Sequence, residues 1–212
     1  MICGTCGSPV TDPDTPYKDG VGIYCSGPCL PDQGEMIYHM PYLEDMASRA
    51  SVIIEIGCGH GNGSTRALER GLKRTTHPDG AKLFVSVDME PHYPEVVPTL
   101  ECWRKITSDS RAQAGVDGVN MLRIAAGVYD KPVDLVYIDT THDHEHMWAE
   151  LNSWKSIMGP ATVVLAHDSH MFGFPNDDMV SAMTQFCDNN PGWVYEEITK
   201  ESHGMAMLRF RQ

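Results

Sequence analysis

The sequence has few basic residues and no long hydrophobic run. Sixteen lysines and arginines stand against 29 aspartates and glutamates, which gives a formal net charge of −13 at pH 7. Nucleic-acid binding draws much of its affinity from clustered cations, so a nucleic acid is disfavoured as a partner. No segment approaches the roughly 20 apolar residues that a membrane-spanning helix needs. The expected partner is therefore a small molecule or a protein, and no membrane association is expected.

The start of the sequence is not expected to be a secretory leader. The first residues, MICGTCG, contain neither a basic stretch nor an apolar one. We therefore expect a cytoplasmic protein. The length of 212 residues suits one substantial α/β core and is too short for two full-sized catalytic domains. The expected division is a small module over residues 1–32 and a main domain over residues 33–212.

Four of the seven cysteines lie close together near the start of the sequence. They form two close pairs, Cys3 with Cys6 and Cys25 with Cys29. Their spacing is close to that of a four-thiolate zinc site, and it resembles small bacterial zinc ribbons and treble clefs. Four cysteines fill a tetrahedral coordination sphere, so such a zinc ion would be structural and not catalytic. Two disulfides or unpaired thiols are the alternatives.

After this module, short apolar runs alternate with segments of helical periodicity. The segment QGEMIYHMPYLEDMASRA is expected to form an amphipathic helix over residues 33–50. The runs VIIEIG, KLFVSVDM, VDLVYID and ATVVLAHD then read as the first, second, fourth and fifth strands, separated by helices. The segment RKITSDS reads as a polar third strand. This alternation predicts an α/β fold with a doubly wound, mostly parallel sheet. The last two runs, GWVYEEI and MAMLRF, have no helix between them and are expected to form an antiparallel hairpin at one edge.

A glycine-rich segment, VIIEIGCGHGNGST, follows a predicted buried strand and precedes a predicted helix. In a doubly wound fold, this turn is where a nucleotide-like ligand binds. The dinucleotide fingerprint GxGxxG fails in both of its registers, which disfavours NAD. What remains is Glu55 followed by Gly57, Gly59 and Gly61 at alternate positions. This pattern resembles the first motif of class I S-adenosylmethionine-dependent methyltransferases.

The resemblance to class I methyltransferases covers about residues 35–212. It implies that the three glycines admit the methionine and ribose parts of the cofactor, and that Glu55 lies near the methionine amino end. It also implies that Asp88 accepts the ribose hydroxyls, and that Asp109 and Ser110 contact the adenine. The predicted edge hairpin matches the antiparallel seventh strand of that family. The expected fold is therefore a seven-stranded, Rossmann-like methyltransferase sheet.

Polar residues follow the fourth and fifth predicted parallel strands. Asp139 comes after DLVYI and Asp168 after VVLAH, so both are expected at the edge of the sheet where ligands bind. The pattern IDxxHxxE, followed later by HD, resembles macrolide-sugar and rhamnosyl O-methyltransferases and cephalosporin-hydroxylase-like proteins. This resemblance implies that Asp139 and Asp168 hold Mg²⁺ or a similar ion and that His142 is the general base. His167 stands where the macrolide-sugar enzymes have a glutamate, which weakens the case for Mg²⁺ and leaves the role of His167 open.

The histidines after Asp139 have a second interpretation. His142 and Asp143 can cap the following helix, and we interpret His144, Glu145 and His146 as the first turn of that helix on its solvent side. The helix itself is predicted by its apolar stripe, which consists of Met147, Leu151 and Trp154. The zinc-protease signature HExxH is absent. A softer ion held by His142 and His146 is a weaker alternative.

We therefore predict a methyltransferase that methylates a hydroxyl of a small molecule, such as a sugar or a secondary metabolite, with S-adenosylmethionine as methyl donor. A histidine suits the removal of the hydroxyl proton, because its pKa is ordinarily near 6.5. No Asn-Pro-Pro-Tyr type tetrapeptide follows the fourth strand, which disfavours methylation of amino groups in nucleic acids or proteins. The alternative is a non-methylating hydroxylase-like or accessory protein whose zinc module recruits a protein partner or a second copy of the chain. The segment SHMFGFPNDD is expected either to cover the substrate or to pack on the sheet.

Overall fold

The computed structural model describes residues 38–59, 61, 63–75, 81–90, 98–171 and 174–211. Of residues 171, 174 and 175 it describes only the backbone, as it does for the antiparallel strands β1 (Lys18–Asp19) and β2 (Gly22–Ile23).

The predicted zinc module is not tested by this structure. Its four expected zinc ligands all lie outside the described residues, and they are Cys3, Cys6, Cys25 and Cys29. The structure therefore offers no geometry for a four-thiolate site, and the zinc ion and the boundary of the module at residue 32 stay predictions.

A seven-stranded sheet forms the centre of the described structure. Its strands are β3 (Val52–Ile56), β4 (Leu83–Asp88), β5 (Trp103–Thr107), β6 (Leu135–Ile138), β7 (Val163–His167), β10 (Trp193–Thr199) and β11 (Met205–Phe210). Between β7 and β10, the strands β8 (His170–Met171) and β9 (Phe174–Pro175) form a separate antiparallel pair. The order across the main sheet is β5-β4-β3-β6-β7-β11-β10. Strands β3 to β7 pair in parallel, and β11 is antiparallel to both β7 and β10. The predicted sheet and its edge hairpin are confirmed.

In the described part of the chain, five α-helices cover the two faces of the sheet. They are α1 (Met40–Ser48), α2 (Ser64–Arg74), α3 (Gln113–Ala125), α4 (His144–Trp154) and α5 (Asp177–Asn189). Alternate residues of each strand point to opposite faces, so Ile53 of β3 packs with α1 and α2 while Ile54 packs with α3, α4 and α5. All five residues of β3 are buried. Burial on both faces explains why the inner parallel strands are mainly apolar, as LVYI of β6 shows.

Helix α1 begins later than the sequence pattern predicts. The pattern predicts a helix over residues 33–50, but Tyr38 and His39 precede the helix and Met40 is its first residue. Pro41 lies in the first turn, where its missing N–H costs no intrahelical hydrogen bond. The apolar stripe itself is confirmed for Met40 and Leu43, which are fully buried against α2 and the sheet. The periodicity of the sequence thus predicted the buried face of α1, whereas the position of Pro41 determines where α1 begins.

Within the described ranges, none of the helices combines the length and the apolar character that crossing a membrane requires.

Candidate active site

The glycine loop lies between β3 and α2, and its backbone explains its composition. Gly57, Gly59 and Gly61 have φ angles of 83°, 45° and 75°, a backbone region that residues other than glycine rarely adopt. At Gly57 there is also no room for a side chain, because a Cβ atom would lie 1.9 Å from the carbonyl oxygen of Asp139. The end of β3 is therefore in direct contact with the end of β6.

A cleft of about 300 Å³ opens beside this loop. It lies at the carboxyl ends of β3, β4 and β6. From β3, the chain continues to β4 on one side of the sheet and later to β6 on the other side. Doubly wound sheets bind their ligands at such a point. Its lining brings together five of the predicted site residues, which are Gly57, Gly59, Asp88, Ser110 and Asp139. Asp109 lies outside this lining and pairs with Arg111 at 2.8 Å.

A larger cavity of about 490 Å³ lies at the opposite end of the sheet. Lys82, Leu83 and Cys102 line it, at the amino ends of β4 and β5. The strand-end aspartates and histidines are all absent from its lining. We therefore assign the ligand site to the smaller cleft, where the polar groups converge.

Asp88 anchors the glycine loop. Its Oδ2 accepts hydrogen bonds from the backbone N–H groups of Cys58 and Gly59 at 2.9 and 3.0 Å, and its Oδ1 accepts one from Glu90 at 2.9 Å. Burial favours the neutral acid, but the hydrogen bonds outweigh it and lower the pKa of Asp88. The carboxylate is therefore ionised at neutral pH and holds the loop against the end of β4.

Glu55 is fully buried beneath the loop and does not line the cleft. Its carboxylate accepts hydrogen bonds from the hydroxyls of Ser64, Thr65 and Ser86 at 2.7 to 2.8 Å. Burial raises its pKa to about 7, although these hydrogen bonds act in the opposite direction. Glu55 thus joins the start of α2 to β3 and β4. The resemblance implied a position near the cofactor's amino end, and the structure places the side chain in this internal network.

Replacing Glu55 with glutamine is expected to remove a pH dependence of stability. The folded-state pKa of about 7 is higher than the ordinary value of 4.5, so folding takes up a proton between these values. The free energy of unfolding of the wild type should therefore fall as pH rises from 5 to 8, by at most about 3 kcal/mol. Urea unfolding across this range checks the expectation. The control variant Glu145→Gln, on the exposed side of α4, should show the wild-type pH dependence of unfolding. If Glu55→Gln also showed the wild-type pH dependence, Glu55 would not be its source.

Four predicted residues meet where β6 and β7 end. His142 Nε2 lies 2.7 Å from Asp168 Oδ2 and 3.8 Å from Asp139 Oδ1. His167 Nδ1 lies 3.0 Å from Asp168 Oδ1 and 3.8 Å from Asp139 Oδ1. The Tyr137 hydroxyl donates to Asp139 Oδ2 at 3.2 Å. Asp139 also lines the cleft, so this cluster is adjacent to it.

The charges of this cluster depend on each other. Contacts with Asp139 and Asp168 raise the pKa of His142 to about 9, although burial opposes the charged form. Burial also opposes ionisation of Asp168, but its contacts with His142 and His167 hold its pKa well below the usual range. Burial lowers the pKa of His167, but the contact with Asp168 outweighs this effect, so the pKa of His167 is raised. In these surroundings, Asp168 is an anion and His142 a cation at neutral pH.

The start of α4 corrects part of the sequence interpretation. Asp143 caps the helix by accepting a hydrogen bond from the His146 N–H at 2.8 Å, whereas the side chain of His142 faces the two aspartates. Glu145 is exposed as expected, and His144 contacts Gln185. His146 is not on the solvent side. Its side chain is only 11% exposed, lines the cleft, and lies 3.1 Å from a buried glutamate of the same helix.

That glutamate, Glu150, links three cleft segments. It accepts hydrogen bonds from Ser110 after β5 and from Thr140 after β6, in addition to its contact with His146. It is fully buried. The sequence pattern missed both His146 and Glu150, although their four-residue spacing places them on one helix face.

Two further histidines approach the cluster from distant segments. His203 Nδ1, from the turn between β10 and β11, lies 3.3 Å from Asp168 Oδ1. The ring of His39, just before α1, meets the ring of His167 edge-on, with centroids 4.8 Å apart. Neither histidine belongs to a local motif. The signal that could have located His203 is the pairing of MAMLRF beside VVLAH, which places the preceding turn next to Asp168.

The segment after Asp168 forms β8 and β9, but Phe172 and Gly173 lie outside the described residues. Its role as a substrate lid stays a prediction.

Comparisons with known proteins agree with the fold. Residues 54–169, more than half of the chain, match the family model described as a methyltransferase domain. No curated protein sequence gives a match.

Solved structures with a similar fold include three methyltransferases. PaMTH1 from Podospora anserina, solved with S-adenosylhomocysteine, is 13% identical with a TM-score of 0.56, covering 86% of this chain and 82% of its own. MycE from the mycinamycin biosynthetic pathway, solved with Mg and S-adenosylhomocysteine, is 14% identical with a TM-score of 0.54, covering 82% and 48%. The calicheamicin methyltransferase CalS11 is 16% identical with a TM-score of 0.53, covering 81% and 77%.

At these identities the structural matches show a shared fold, while the family match rests on the sequence that contains the glycine loop and both strand-end aspartates. The chain therefore belongs to this family of methyltransferase domains and is a class I S-adenosylmethionine-dependent methyltransferase.

Proposed function

We propose that the protein methylates a hydroxyl of a small molecule, such as a sugar or a secondary metabolite, with His142 as general base. The observation that carries this proposal is the position of Asp139. Asp139 lines the cofactor cleft and, with Asp168, flanks the imidazole of His142. A base held this close to the methyl donor can act on a hydroxyl positioned between them.

The cleft provides a suitable place for S-adenosylmethionine, which supplies a methyl group on a positively charged sulfur. Gly57 and Gly59 allow the backbone to approach a ligand closely, because no side chain intervenes. Asp88 and Asp139 contribute negative charge to the cleft, which favours a cationic ligand. Ser110 and His146 supply polar groups to the same cleft.

His142 has the features of an oriented base. Asp168 holds its Nε2 at 2.7 Å, and the side chain is 28% exposed, so an acceptor can reach it. The two aspartates stabilise the imidazolium that forms when His142 takes the hydroxyl proton. The same aspartates favour a proton on His142 before the reaction. We expect its pKa to fall when a cationic cofactor lies beside Asp139, which would supply the neutral imidazole that a base requires.

A divalent ion was also expected at Asp139 and Asp168. The donor atoms of these aspartates and of His142 lie within 4.8 Å of one another, which is compatible with an ion. The donor chemistry fits Mg²⁺ poorly, however, because the buried side chain preceding Asp168 is the imidazole of His167 and Mg²⁺ prefers oxygen ligands. No step of the proposed proton transfer therefore depends on Mg²⁺.

Calorimetry tests the cofactor. We expect S-adenosylmethionine to bind and NAD to give no measurable heat, because the loop lacks the dinucleotide spacing. Absence of binding by S-adenosylmethionine would overturn the proposal. A screen of hydroxylated metabolites for methyl transfer then tests the acceptor class, and transfer only to amino groups would contradict methylation of a hydroxyl.

A further inference from the structure

His146 presents a ring nitrogen that the protein itself does not use. Its side chain lines the cleft and is 11% exposed, and its Nε2 lies 3.1 Å from Oε1 of the fully buried Glu150. The hydroxyls of Ser110 and Thr140 donate to the same carboxylate, which therefore acts as an acceptor. Nε2 must then be the donor in its own contact. Within the described residues, no hydrogen-bond partner meets the other ring nitrogen, Nδ1.

The residues that the family resemblance assigns to the adenine have other contacts. Asp109 lies outside the cleft lining, and its two carboxylate oxygens accept hydrogen bonds from Arg111. Ser110 lines the cleft, but its hydroxyl hydrogen is directed to Glu150. These contacts leave His146 as an oriented donor at this end of the cleft.

The two ends of the cleft suit different parts of S-adenosylmethionine. At the end of β6, the carboxylate of Asp139 favours the positively charged sulfur. Toward β4 and β5, the lining combines the polar side chains of Ser110 and His146 with the apolar side chains of Val87 and Met89. Adenine has apolar ring faces and polar edges, so a lining of this mixed character suits it. The cleft therefore favours a cofactor whose adenine lies beside His146.

The contact with Glu150 also favours the charged form of the imidazole. It raises the pKa of His146, although burial opposes the charged form. The guanidinium of Arg111 acts in the same direction as burial, and the carboxylate of Asp143 acts in the direction of Glu150. At neutral pH, a larger fraction of His146 than of a free histidine therefore carries a second N–H, on Nδ1. Because Glu150 accepts from Nε2, this second N–H is left for a ligand.

From these contacts we infer that His146 recognises the purine of the cofactor by donating a hydrogen bond from Nδ1 to a ring nitrogen of adenine, with Glu150 as the positioning residue for the imidazole. Specificity in small-molecule sites commonly comes from a few placed polar groups of this kind. The inference deepens the proposed function, because it rests on S-adenosylmethionine as the methyl donor in this cleft. It does not depend on the acceptor, since S-adenosylhomocysteine contains the same adenine.

Analogues of S-adenosylhomocysteine in which CH replaces one ring nitrogen of the adenine test this contact atom by atom. We expect one analogue to bind the full-length wild type about tenfold or more weakly than S-adenosylhomocysteine, as measured by calorimetry. In His146→Phe, which keeps an aromatic ring but cannot donate, the same analogue and S-adenosylhomocysteine should bind equally. This coupling isolates the contact, because a variant that only distorts the cleft weakens the binding of both ligands alike.

Two further variants and one further ligand complete the test. His146→Leu should behave as His146→Phe does, and it replaces that variant if phenylalanine does not fit the cleft. His144→Phe is the matched control, because the ring of His144 contacts Gln185 outside the cleft, and it should discriminate between the ligands as the wild type does. An analogue without the exocyclic amino group of adenine should show no coupling to His146. Coupling to that amino group instead would show that Nδ1 accepts a hydrogen bond, and would overturn its role as a donor.

The measurement separates this inference from the proposed function, since it uses no acceptor. If S-adenosylhomocysteine binds but every ring-nitrogen analogue loses the same affinity in the wild type and in the His146 variants, the inference is overturned and methylation of a hydroxyl is unaffected. A protein that shows the coupling but methylates no hydroxyl would overturn the proposed function alone.

Discussion

Replacing His142 with alanine is expected to lower the rate of methyl transfer by about 10²- to 10⁴-fold, the usual contribution of a general base. Cofactor affinity should stay nearly unchanged, because His142 is outside the residues that line the cleft. The loss should therefore appear in kcat and not in the dissociation constant for S-adenosylmethionine. Steady-state kinetics with an accepted hydroxyl substrate, together with calorimetry, measure the two quantities.

Two further variants make this expectation specific. Glutamine at position 142, in His142→Gln, offers Asp168 a polar N–H group but cannot take up a proton at neutral pH, so this variant should be as inactive as the alanine variant. His144→Ala removes a histidine two positions away whose ring contacts Gln185 outside the cluster, and it should retain wild-type turnover. Wild-type rates in both His142 variants would show that His142 has only a structural role.

Replacing Gly57 with alanine is expected to destabilise the fold by roughly 2 to 5 kcal/mol. Alanine at a φ of 83° costs about 1–2 kcal/mol in backbone strain. Its Cβ would also lie 1.9 Å from the carbonyl oxygen of Asp139, and overpacking of this kind typically costs another 1–3 kcal/mol. Because relief of the clash must move the ends of β3 and β6 apart, cofactor binding should be lost as well. Urea unfolding and calorimetry check the two effects.

Gly59→Ala is the matched control, because Gly59 also has a positive φ but no atom of the described residues lies within 4 Å of the added Cβ. We expect only the backbone cost of about 1–2 kcal/mol in this variant. The difference between the two variants isolates the contact with Asp139. Equal destabilisation would show that the contact between β3 and β6 contributes little.

Much of the fold could be predicted because burial leaves a direct pattern in the sequence. Strands covered on both faces, such as β3 and β6, are mainly apolar, and α4 shows its buried stripe at helical spacing. The start of α1 could not be read from periodicity. It depends on Pro41, because proline fits the first turn of a helix and not its interior, so the helix begins close to this residue.

The site was predictable where a residue directly follows a strand. Asp139 and Asp168 are such residues, and parallel strands bring their ends to one edge of the sheet. His203 could not be placed in this way, because its position depends on the register between β7 and β11, in which His167 lies opposite Met205. The position of His146 in the predicted helix did not show that its side chain faces the cleft. That orientation depends on Glu150, which contacts His146 and is bonded to Ser110 after β5 and to Thr140 after β6.

The place of β11 between β7 and β10 has a consequence for the order in which the protein acquires its site. A ribosome makes β3 to β7, and with them Asp139 and Asp168, before it makes the hairpin that contains His203. Until β11 emerges, β7 is an edge strand, and four of its five residues are buried in the finished sheet. The nascent chain therefore holds both aspartates before it holds the complete cluster. Docking of the hairpin covers the exposed edge and brings His203 to Asp168 in the same event, so completion of the sheet and completion of the site coincide.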